Sequence, residues 1–402
     1  MAVNNAINDD MVVRYGTAYL KNEMKICEFA NRKYEKDFTN KTGDTLRIQE
    51  PNYYQARDGV NFVPKSINQN SKALVVMDEF GQDFEIDSRQ LAQSFPDLAN
   101  AVVKPAIESI KVEANKRMMA QINKAFHFTG SSGAPLNSFP SVNAGRTVLK
   151  KFGIESNNAY GIYSIDDYAS IAGGLNNNFN TRLNSFISKT GDLPYFAGHT
   201  ILEDNDVLNH VSGTASAATV TVDGATQSGL TLNVTGLAVS DPDAFKEGDL
   251  LVIDGILATN VNNQTGVSAA QFSVAADVGS DGSGNAAVTL NNPITPTVLD
   301  PNEGTVTDYP ANGATVTVIP SHQKNFIAHP DACTMVSQKL PEAPGRVCRY
   351  IEGSDGRGYM SIRYVRDWNY NTGAHIFRFD VLMGFLVFNK YLALNISQPA
   401  SV

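Results

Sequence analysis

Between Asp9 and Phe38 the residues Met11, Val12, Tyr15, Ala18, Tyr19, Met24, Cys27 and Ala30 recur at helical spacing among Lys, Arg and Glu, which predicts an amphipathic N-terminal arm. Its apolar stripe packs either on its own domain or on a partner chain. Two strand-like pieces follow, Thr45 to Pro51 and Lys72 to Phe84. The polar stretch Asn52 to Ser71 between them has a turn at Asp58-Gly59 and alternation at Val60, Phe62 and Pro64, the pattern of a long β hairpin. A two-stranded ribbon is marginal in water, so one this long is expected to lean on something else, in an assembly on a neighbouring copy. Next, Ser94 offers an N-cap and Pro96 suits a first turn. Ile107, Ile110, Ala114, Met118, Ile122 and Ala125 then mark one face of the longest helix, which runs out to Phe126. Pro105 lacks an amide hydrogen and must kink this helix or reset its start. Glu113 and Arg117 form an i, i+4 pair on its flank.

Residues 131 to 139 are a linker by composition. The stretch 143 to 210 is mixed, with Tyr160 to Ser164 strand-like and Asp166 to Leu175 helix-like. In 213 to 318 the pattern changes to short strands and turns. Gly248-Asp249 precedes a strand Leu250 to Ile253, Asp254-Gly255 is expected to be a hairpin turn, and Ile256 to Thr259 to return. Gln271 to Ala275, around Phe272, with Ala286 to Leu290 and Ala314 to Ile319, adds further strands, the pattern of a small barrel or sandwich. Beyond it, Ile376 to Leu394 is expected to supply strands to the same core as 143 to 210.

Charge sharpens that boundary. Residues 213 to 318 hold eleven Asp or Glu against one cation, Lys246, whereas the formal total for all 402 residues is −9. The rest of the chain is therefore nearly neutral, and the acidic block is expected to be an inserted β domain. An acidic protein does not hold nucleic acid by neutralising phosphates, because that affinity needs clustered Lys and Arg. Cys27, Cys333 and Cys348 are too few and too far apart for a disulfide framework or a zinc site, so folding in a reducing compartment is expected. The N-terminal MAVNNAINDD has neither a basic nor an apolar region of a secretion signal. The longest apolar run, Val381 to Phe388, is far shorter than the roughly 20 residues that span a bilayer, and no membrane is expected.

Candidate chemistry is sparse. Gly279 to Gly284 lacks the Lys-Ser/Thr that follows a phosphate loop, and Asp277 and Asp281 beside it do not have calcium-loop spacing. His127, His199, His210, His322, His329 and His375 contain no HExxH and no i, i+4 pair. Gly130 to Gly133 is expected to be a loop with no strand before it, unlike a nucleophile elbow. Asp166 and Asp167 are neighbours that would not face each other on a helix, so they are expected to be an N-cap and a first-turn acid. No catalytic residue, cofactor or metal ligand is expected.

The order of parts resembles the major capsid (coat) protein of tailed double-stranded DNA bacteriophages, and more closely the short-tailed Salmonella-phage type whose subunit carries an inserted barrel. The matching pieces are Gly43 to Glu50, Phe84 to Ser94, Tyr163 to Ala169, Ala197 to His210, and Lys246 to Ile256 followed by Gln271 to Val274. The resemblance implies an α+β fold of the Hong Kong 97 type with an inserted all-β barrel domain. It implies an N-terminal arm (1 to 44), an extended loop and peripheral strand (45 to 90), a spine helix (91 to 130), an axial domain (131 to 212), the inserted barrel (213 to 318), and the remaining axial and peripheral strands (319 to 402). Assembly residues are expected in the extended loop at Tyr54, Arg57, Asp58, Gly59, Phe62 and Lys65, and structural ones in the insertion at Gly248, Asp249, Asp254, Gly255 and Phe272. Nothing licenses a covalent crosslink at Lys65 or Lys72. The family's long inter-capsomer loop is cut down to Asp223 to Gly229.

On this resemblance the expected role is an icosahedral virion shell of hexamers and pentamers, assembled in the bacterial cytoplasm with a scaffolding protein and a portal protein. It would enclose double-stranded DNA without reading its sequence and expand on maturation. Two other classes fit less well: a cellular nanocompartment shell of the same fold, which usually lacks the insertion, and a β-rich carbohydrate-binding or adhesin protein, which would need a secretion signal. Particle size separates a shell from the last.

Overall fold

The computed structural model describes residues 9–20, 29–35, 44–50, 53–54, 59–60, 70–87, 103–155, 157–176, 193, 195–300, 303–352 and 360–399. The elements begin with α1 (Asp9–Leu20), β1 (Thr45–Gln49), β2 (Ser71–Val75), β3 (Asp78–Asp87), α2 (Lys104–Ile122), β4 (Phe128–Gly130), α3 (Phe139–Lys151) and β5 (Tyr160–Tyr163). Then come α4 (Ile165–Asn176), β6 (Thr200–Glu203), β7 (Asn209–His210), β8 (Val220–Val222), β9 (Gly229–Thr235), β10 (Leu250–Thr259) and β11 (Gly266–Ser273). The series continues with β12 (Asn285–Ile294), β13 (Thr315–Val318), β14 (His322–Ala328), β15 (Cys333–Gln338), β16 (Val347–Ile351), β17 (Ile362–Asn369), β18 (Ala374–Val387) and β19 (Leu392–Ser397). The protein is mixed α and β, mostly sheet, and its chain forms two compact units, one of 1–49, 71–118 and 333–386, the other of 50–70, 119–332 and 387–402.

The first unit is organised by β18. It pairs antiparallel with β17 from Ile362↔Val381 to Asn369↔Ala374, and along its other edge with β3 from Asp78↔Met383 to Asp87↔Ala374. Aromatic side chains fill the core beside it: Tyr364 and Phe379 lie 5.3 Å apart between centroids, and Phe84 meets Phe379 edge-on at 6.4 Å. The nearly buried Asp380 is satisfied by Arg363 Nη2 at 2.6 Å and Arg378 Nε at 2.7 Å, the pairing a buried carboxylate requires. Gly81 sits opposite this pair, where an added Cβ would lie 2.1 Å from the Phe379 carbonyl oxygen. We expect Gly81→Ala to force β3 off β18 and lower the unfolding free energy by about 1–3 kcal/mol in a urea titration.

One long second strand, Lys72 to Phe84, is expected here, and there are two. β2 pairs with β1, and the chain then breaks at Val76-Met77 so that β3 can join β18. Ile376 to Leu394 likewise does not serve a single core: β18 belongs to the first unit and β19 to the second. Pro105 lies in the first turn of α2 as described, after a π-helical Val103, and residues 88 to 102 lie outside the described residues. Ser94 and Pro96 lie outside the described residues. Within α2, Ile107, Ile110, Ala114, Met118 and Ile122 are all buried, and Glu113 accepts from Arg117 Nε at 2.8 Å. In α1 Val12 is buried and Tyr15 exposed, and a Cβ on Gly16 would stand 2.6 Å from Ile351 Cδ1.

The second unit holds a sheet in the order β4-β19-β14-β5-β6, with β7 also on β14. β4 runs parallel to β19 and β5 to β6. β4 therefore does precede the Gly130 to Gly133 loop, contrary to expectation, because Phe128 to Gly130 finds the edge of β19. Helix α3 starts at Ser138 with a capping box, Ser141 N–H donating to Ser138 Oγ and Ser138 N–H to Ser141 Oγ. At α4, Asp166 is exposed while Asp167 turns inward, as neighbours on a helix must diverge. Asp167 Oδ2 accepts from Ser164 Oγ at 3.0 Å, Asn325 Nδ2 at 2.7 Å and Ser397 Oγ at 2.6 Å, tying the helix start to β14 and β19.

Residues 220 to 318 form a second, wholly antiparallel sheet in the order β11-β10-β13-β8-β9-β12, and its end strands approach each other through a bridge between Val274 and Leu290. Alternation is clear in β12, where Ala286, Val288, Leu290, Asn292 and Ile294 turn inward. The expected hairpin at Asp254-Gly255 is absent. Both Leu250 to Ile253 and Leu257 to Thr259 pair with the same strand, β11, and Asp254 to Ile256 bulge out between Ile253↔Ala270 and Leu257↔Ala269. Gly255, at φ +84°, supplies the left-handed conformation this bulge needs. The reversal falls at 260 to 265, where Asn260, Asn262, Asn263 and Thr265 bond one another's backbones or side chains. One run of buried apolar side chains extends from α3 and β5 into this sheet, Val142, Leu149 and Tyr163 at one end and Val234, Phe272 and Val316 at the other.

Candidate functional site

The root of the extended hairpin is held by its own chain. Beyond the β1–β2 ladder, Glu50 N–H donates to the Asn70 carbonyl at 2.8 Å. Lys390 reaches Glu50 at 2.9 Å, the hydroxyls of Tyr53 and Tyr391 share a hydrogen bond at 3.3 Å, and Asn70 Nδ2 donates to Glu303 at 2.9 Å. Burial, then the Tyr53 hydroxyl, pushes the Tyr391 phenol well above its ordinary pKa. Farther out the surroundings change: Tyr54 is half exposed, Gly59 takes φ +78° and Val60 is 94% exposed. Arg57, Asp58, Phe62 and Lys65 lie outside the described residues. So the base of this segment leans on its own chain, through Glu50, Tyr53 and Asn70.

The residues expected as plain turn formers at 248 and 249 have a larger part. The strands that carry the chain into and out of 213 to 318 are register partners, His210 on β7 opposite His322 on β14. Asp249, fully buried, accepts from His210 Nε2 at 2.7 Å through one oxygen and from the N–H groups of Lys246 (2.8 Å) and Gly213 (3.2 Å) through the other. Next to it Gly248 has φ +90°, and a Cβ there would lie 2.2 Å from Asn123 Oδ1, so only glycine fits. The Gly248 carbonyl accepts from Lys324 Nζ at 2.6 Å, and the same ammonium donates to Asn123 Oδ1 at 2.7 Å. Gln271 completes the seam by bonding both backbone groups of Phe128, its Oε1 accepting the N–H at 3.0 Å and its Nε2 donating to the carbonyl at 2.8 Å, as a strand would.

These buried groups are electrostatically stressed. Burial drives the Lys324 amine down to about 7, with Asp249 and Glu247 opposing the fall. His322 falls to about 3 through burial and the neighbouring Lys324. It donates from Nδ1 to the Pro320 carbonyl at 2.7 Å, which leaves Nε2 as the acceptor nitrogen. His210 is lowered by burial against the opposing bond to Asp249. The arrangement can fasten two sheets together, and every polar contact in it is structural in kind. Asp254 stands exposed on the bulge, and Phe272 is buried in the core.

His210, His322, Lys324, Asn123 and Gln271 were invisible as a group in the sequence, being up to 201 positions apart. The one local hint was the polar run His322 to Asn325 ahead of an apolar strand, all of it buried. Elsewhere, Asp281 is occupied in its own turn, accepting from the Ser283 and Asn285 N–H groups at 2.8 Å, and Asp277 accepts from Glu247 N–H at 2.7 Å. The short loop at 223 to 229 is also closed on itself. Gln227 donates to the Asp223 carbonyl at 2.7 Å and accepts from the Asn233 N–H at 2.7 Å. Cys333 is buried, Cys348 is half-buried, and Cys27 lies outside the described residues.

No protein-family model matches the sequence, and no curated protein matches it. Among solved structures, a chain described as Mycobacterium phage Che8 is similar over 93% of this chain and 90% of its own, at 10% identity and a TM-score of 0.50. Weaker likenesses include a chain of the capsid structure of the cyanophage P-SCSP1u (9% identity, 90% and 85% covered, TM-score 0.39) and one of the mature capsid of bacteriophage PhiM1 (9% identity, 90% and 83% covered, TM-score 0.41). At these identities the likeness is one of fold, and the fold this chain shares along nearly its whole length is that of the mycobacteriophage chain.

Proposed function

We propose that this protein is the major capsid protein of a tailed phage, with a fold of the Hong Kong 97 type and residues 213 to 318 as an inserted β-barrel domain, and that copies of it tile into a closed icosahedral shell around double-stranded DNA. The observation that carries the reading is a phage-protein fold matched over 93% of the chain, with large apolar side chains bare at its hairpin tips, Val60 at 94% and Tyr370 at 88% exposure. Fold alone does not fix function. Surface that stays wet in a monomer but is covered in a lattice is what a shell subunit needs, at roughly 1,200–2,000 Å² per standard interface. A near-neutral or acidic subunit also avoids gripping the genome by counterion release. In this reading the hairpin beyond Tyr54 lies on a neighbouring subunit, a scaffolding protein guides assembly, a portal occupies one vertex, and the shell expands on maturation in the virion.

Two measurements test it. The full chain expressed with its scaffolding protein should elute as megadalton particles and appear as closed shells in negative stain; a small oligomer would overturn the proposal and favour an adhesin or an enzyme. Deleting residues 55 to 69 should leave circular dichroism and the melting temperature nearly unchanged while closed shells disappear. Normal particles from that variant would show that the hairpin is not an assembly element.

A further inference from the structure

The chain enters the segment 213 to 318 through a very short strand. β7 has two residues, and its register on β14 is His210↔His322 and Asn209↔Gln323. Beside these rungs Lys324 N–H donates to the Leu208 carbonyl at 2.9 Å, and Ser212 N–H to Ser321 Oγ at 3.1 Å. Asn209 is exposed and Val211 is 70% exposed. A strand with two rungs and little buried apolar surface sits at the low end of local stability, so it opens before the sheet it rests on. β14 itself is held on both sides, by β19 from Gln323↔Ser397 to Ala328↔Leu392 and by β5 from Phe326↔Ile162 to Ala328↔Tyr160. The firmest anchor of β7 is a side chain, His210, whose Nε2 donates to the fully buried Asp249 at 2.7 Å.

His322, opposite His210, is fully buried, and the two ring centroids are 5.3 Å apart. Its Nδ1 donates to the Pro320 carbonyl at 2.7 Å, and its Nε2 has no hydrogen-bond partner among the described residues. A second proton on this ring would create an N–H donor with nothing to accept it. It would also add a positive charge beside Lys324 and His210, which are cations themselves when protonated. The anions facing the pair are Asp249, already bonded to His210, and Glu247 of the same turn, which acts on Lys324. Lys246 turns its ammonium toward Asp243, and Asn123 from the end of α2 brings no charge. We propose that β7 is an acid-released strap: neutral His210 and His322 hold residues 208 to 212 against β14, and protonation of the pair frees this strand while β14 and the sheet of residues 220 to 318 stay folded. Acid then loosens one of the two connections that tether the segment and leaves the other in place.

Hydrogen exchange of the full chain between pH 4.5 and 6.5, corrected for the intrinsic effect of pH on exchange, tests this. The strap is read at the amides of Ser212, Gly213 and Lys324, which donate to Ser321 Oγ, Asp249 Oδ2 and the Leu208 carbonyl. The reference amides are Ala275, which donates to the Thr289 carbonyl, and Phe326 in the middle of β14. Opening at the strap should grow about tenfold for each pH unit below 6.5, because burial holds the His322 ring down to about 3 and the freed ring returns to its ordinary 6.5. The reference amides should keep their protection. His322→Asn retains a donor for the Pro320 carbonyl but cannot titrate, and should take that tenfold step per pH unit out of the strap's response. Loss of protection at the strap and reference amides together would show that acid only unfolds the whole chain. A strap that ignores pH, or a folded His322→Asn chain that keeps the full response, would equally overturn the inference. If circular dichroism shows that His322→Asn does not fold, the comparison of strap with reference amides in the wild-type chain still decides.

Discussion

Replacing Asp249 with Ala should lower the unfolding free energy of the chain by about 3–5 kcal/mol, the size of effect seen when one member of a buried charged network is removed. The carboxylate is fully buried and serves His210, Gly213 and Lys246 at once. Its loss leaves two backbone N–H groups and an imidazole N–H without acceptors in a place water does not reach, and each such orphan costs about 1–3 kcal/mol. Lys324 suffers as well, because Asp249 is the largest influence opposing the fall of its pKa. Asp249→Asn keeps the volume and one acceptor, so its effect should be intermediate. Urea unfolding followed by circular dichroism gives the global value, and hydrogen exchange at the Gly213 and Lys246 amides gives the local one. If stability drops by less than about 1 kcal/mol, the network has been misassigned.

Acid should weaken the subunit steeply. His127, His199 and His322 have folded pKa values of about 3, 4 and 3, all lowered from 6.5 first by burial. Below pH 6.5 the unfolded chain takes up protons that the folded chain refuses, so stability falls as pH falls, beginning near 6.5 and ending near 3 to 4. Each histidine contributes roughly 1–1.5 kcal/mol per pH unit within that window, an upper bound of about 4 kcal/mol per unit for the three together. Lys324 extends the trend upward. Its folded value of about 7 lies below the ordinary 10.5, so stability gains further between pH 7 and 10.5. Urea midpoints measured at pH 4.5, 6 and 8 should rise in that order. A flat profile between pH 4.5 and 6.5 would mean that these rings are not held neutral.

Much of the architecture was legible because it is written in periodicity. The buried face of α2 follows a helical period and β12 alternates between buried and exposed positions, while β5, buried at all four, shows as a short apolar run, and the change in charge at 213 marks the second sheet. What misled was a local signal outvoted by pairing elsewhere. Asp254-Gly255 has ideal turn chemistry, yet the ladder from Leu250 to Thr259 along β11 absorbs it as a bulge. The apolar run ending at Leu394 looked like one core because hydrophobicity does not reveal which sheet a strand joins. The junction of His210, Asp249, His322 and Lys324 was hidden for a different reason: its members are brought together only by the β7–β14 register, and each alone is an unremarkable polar residue.

That register has a consequence for how such a chain can vary. Because His210 and His322 are cross-strand neighbours, everything between them departs and comes back at points separated by only one ladder rung, about 5 Å. Topologically the whole 213 to 318 segment occupies the place of a hairpin loop. A tight two-residue connection would suffice to keep β7 and β14 in step without it. Any replacement would still have to cover the apolar side chains that α3 and β5 share with this sheet, and to supply the acceptors that Asp249 and Gly248 now offer His210 and Lys324.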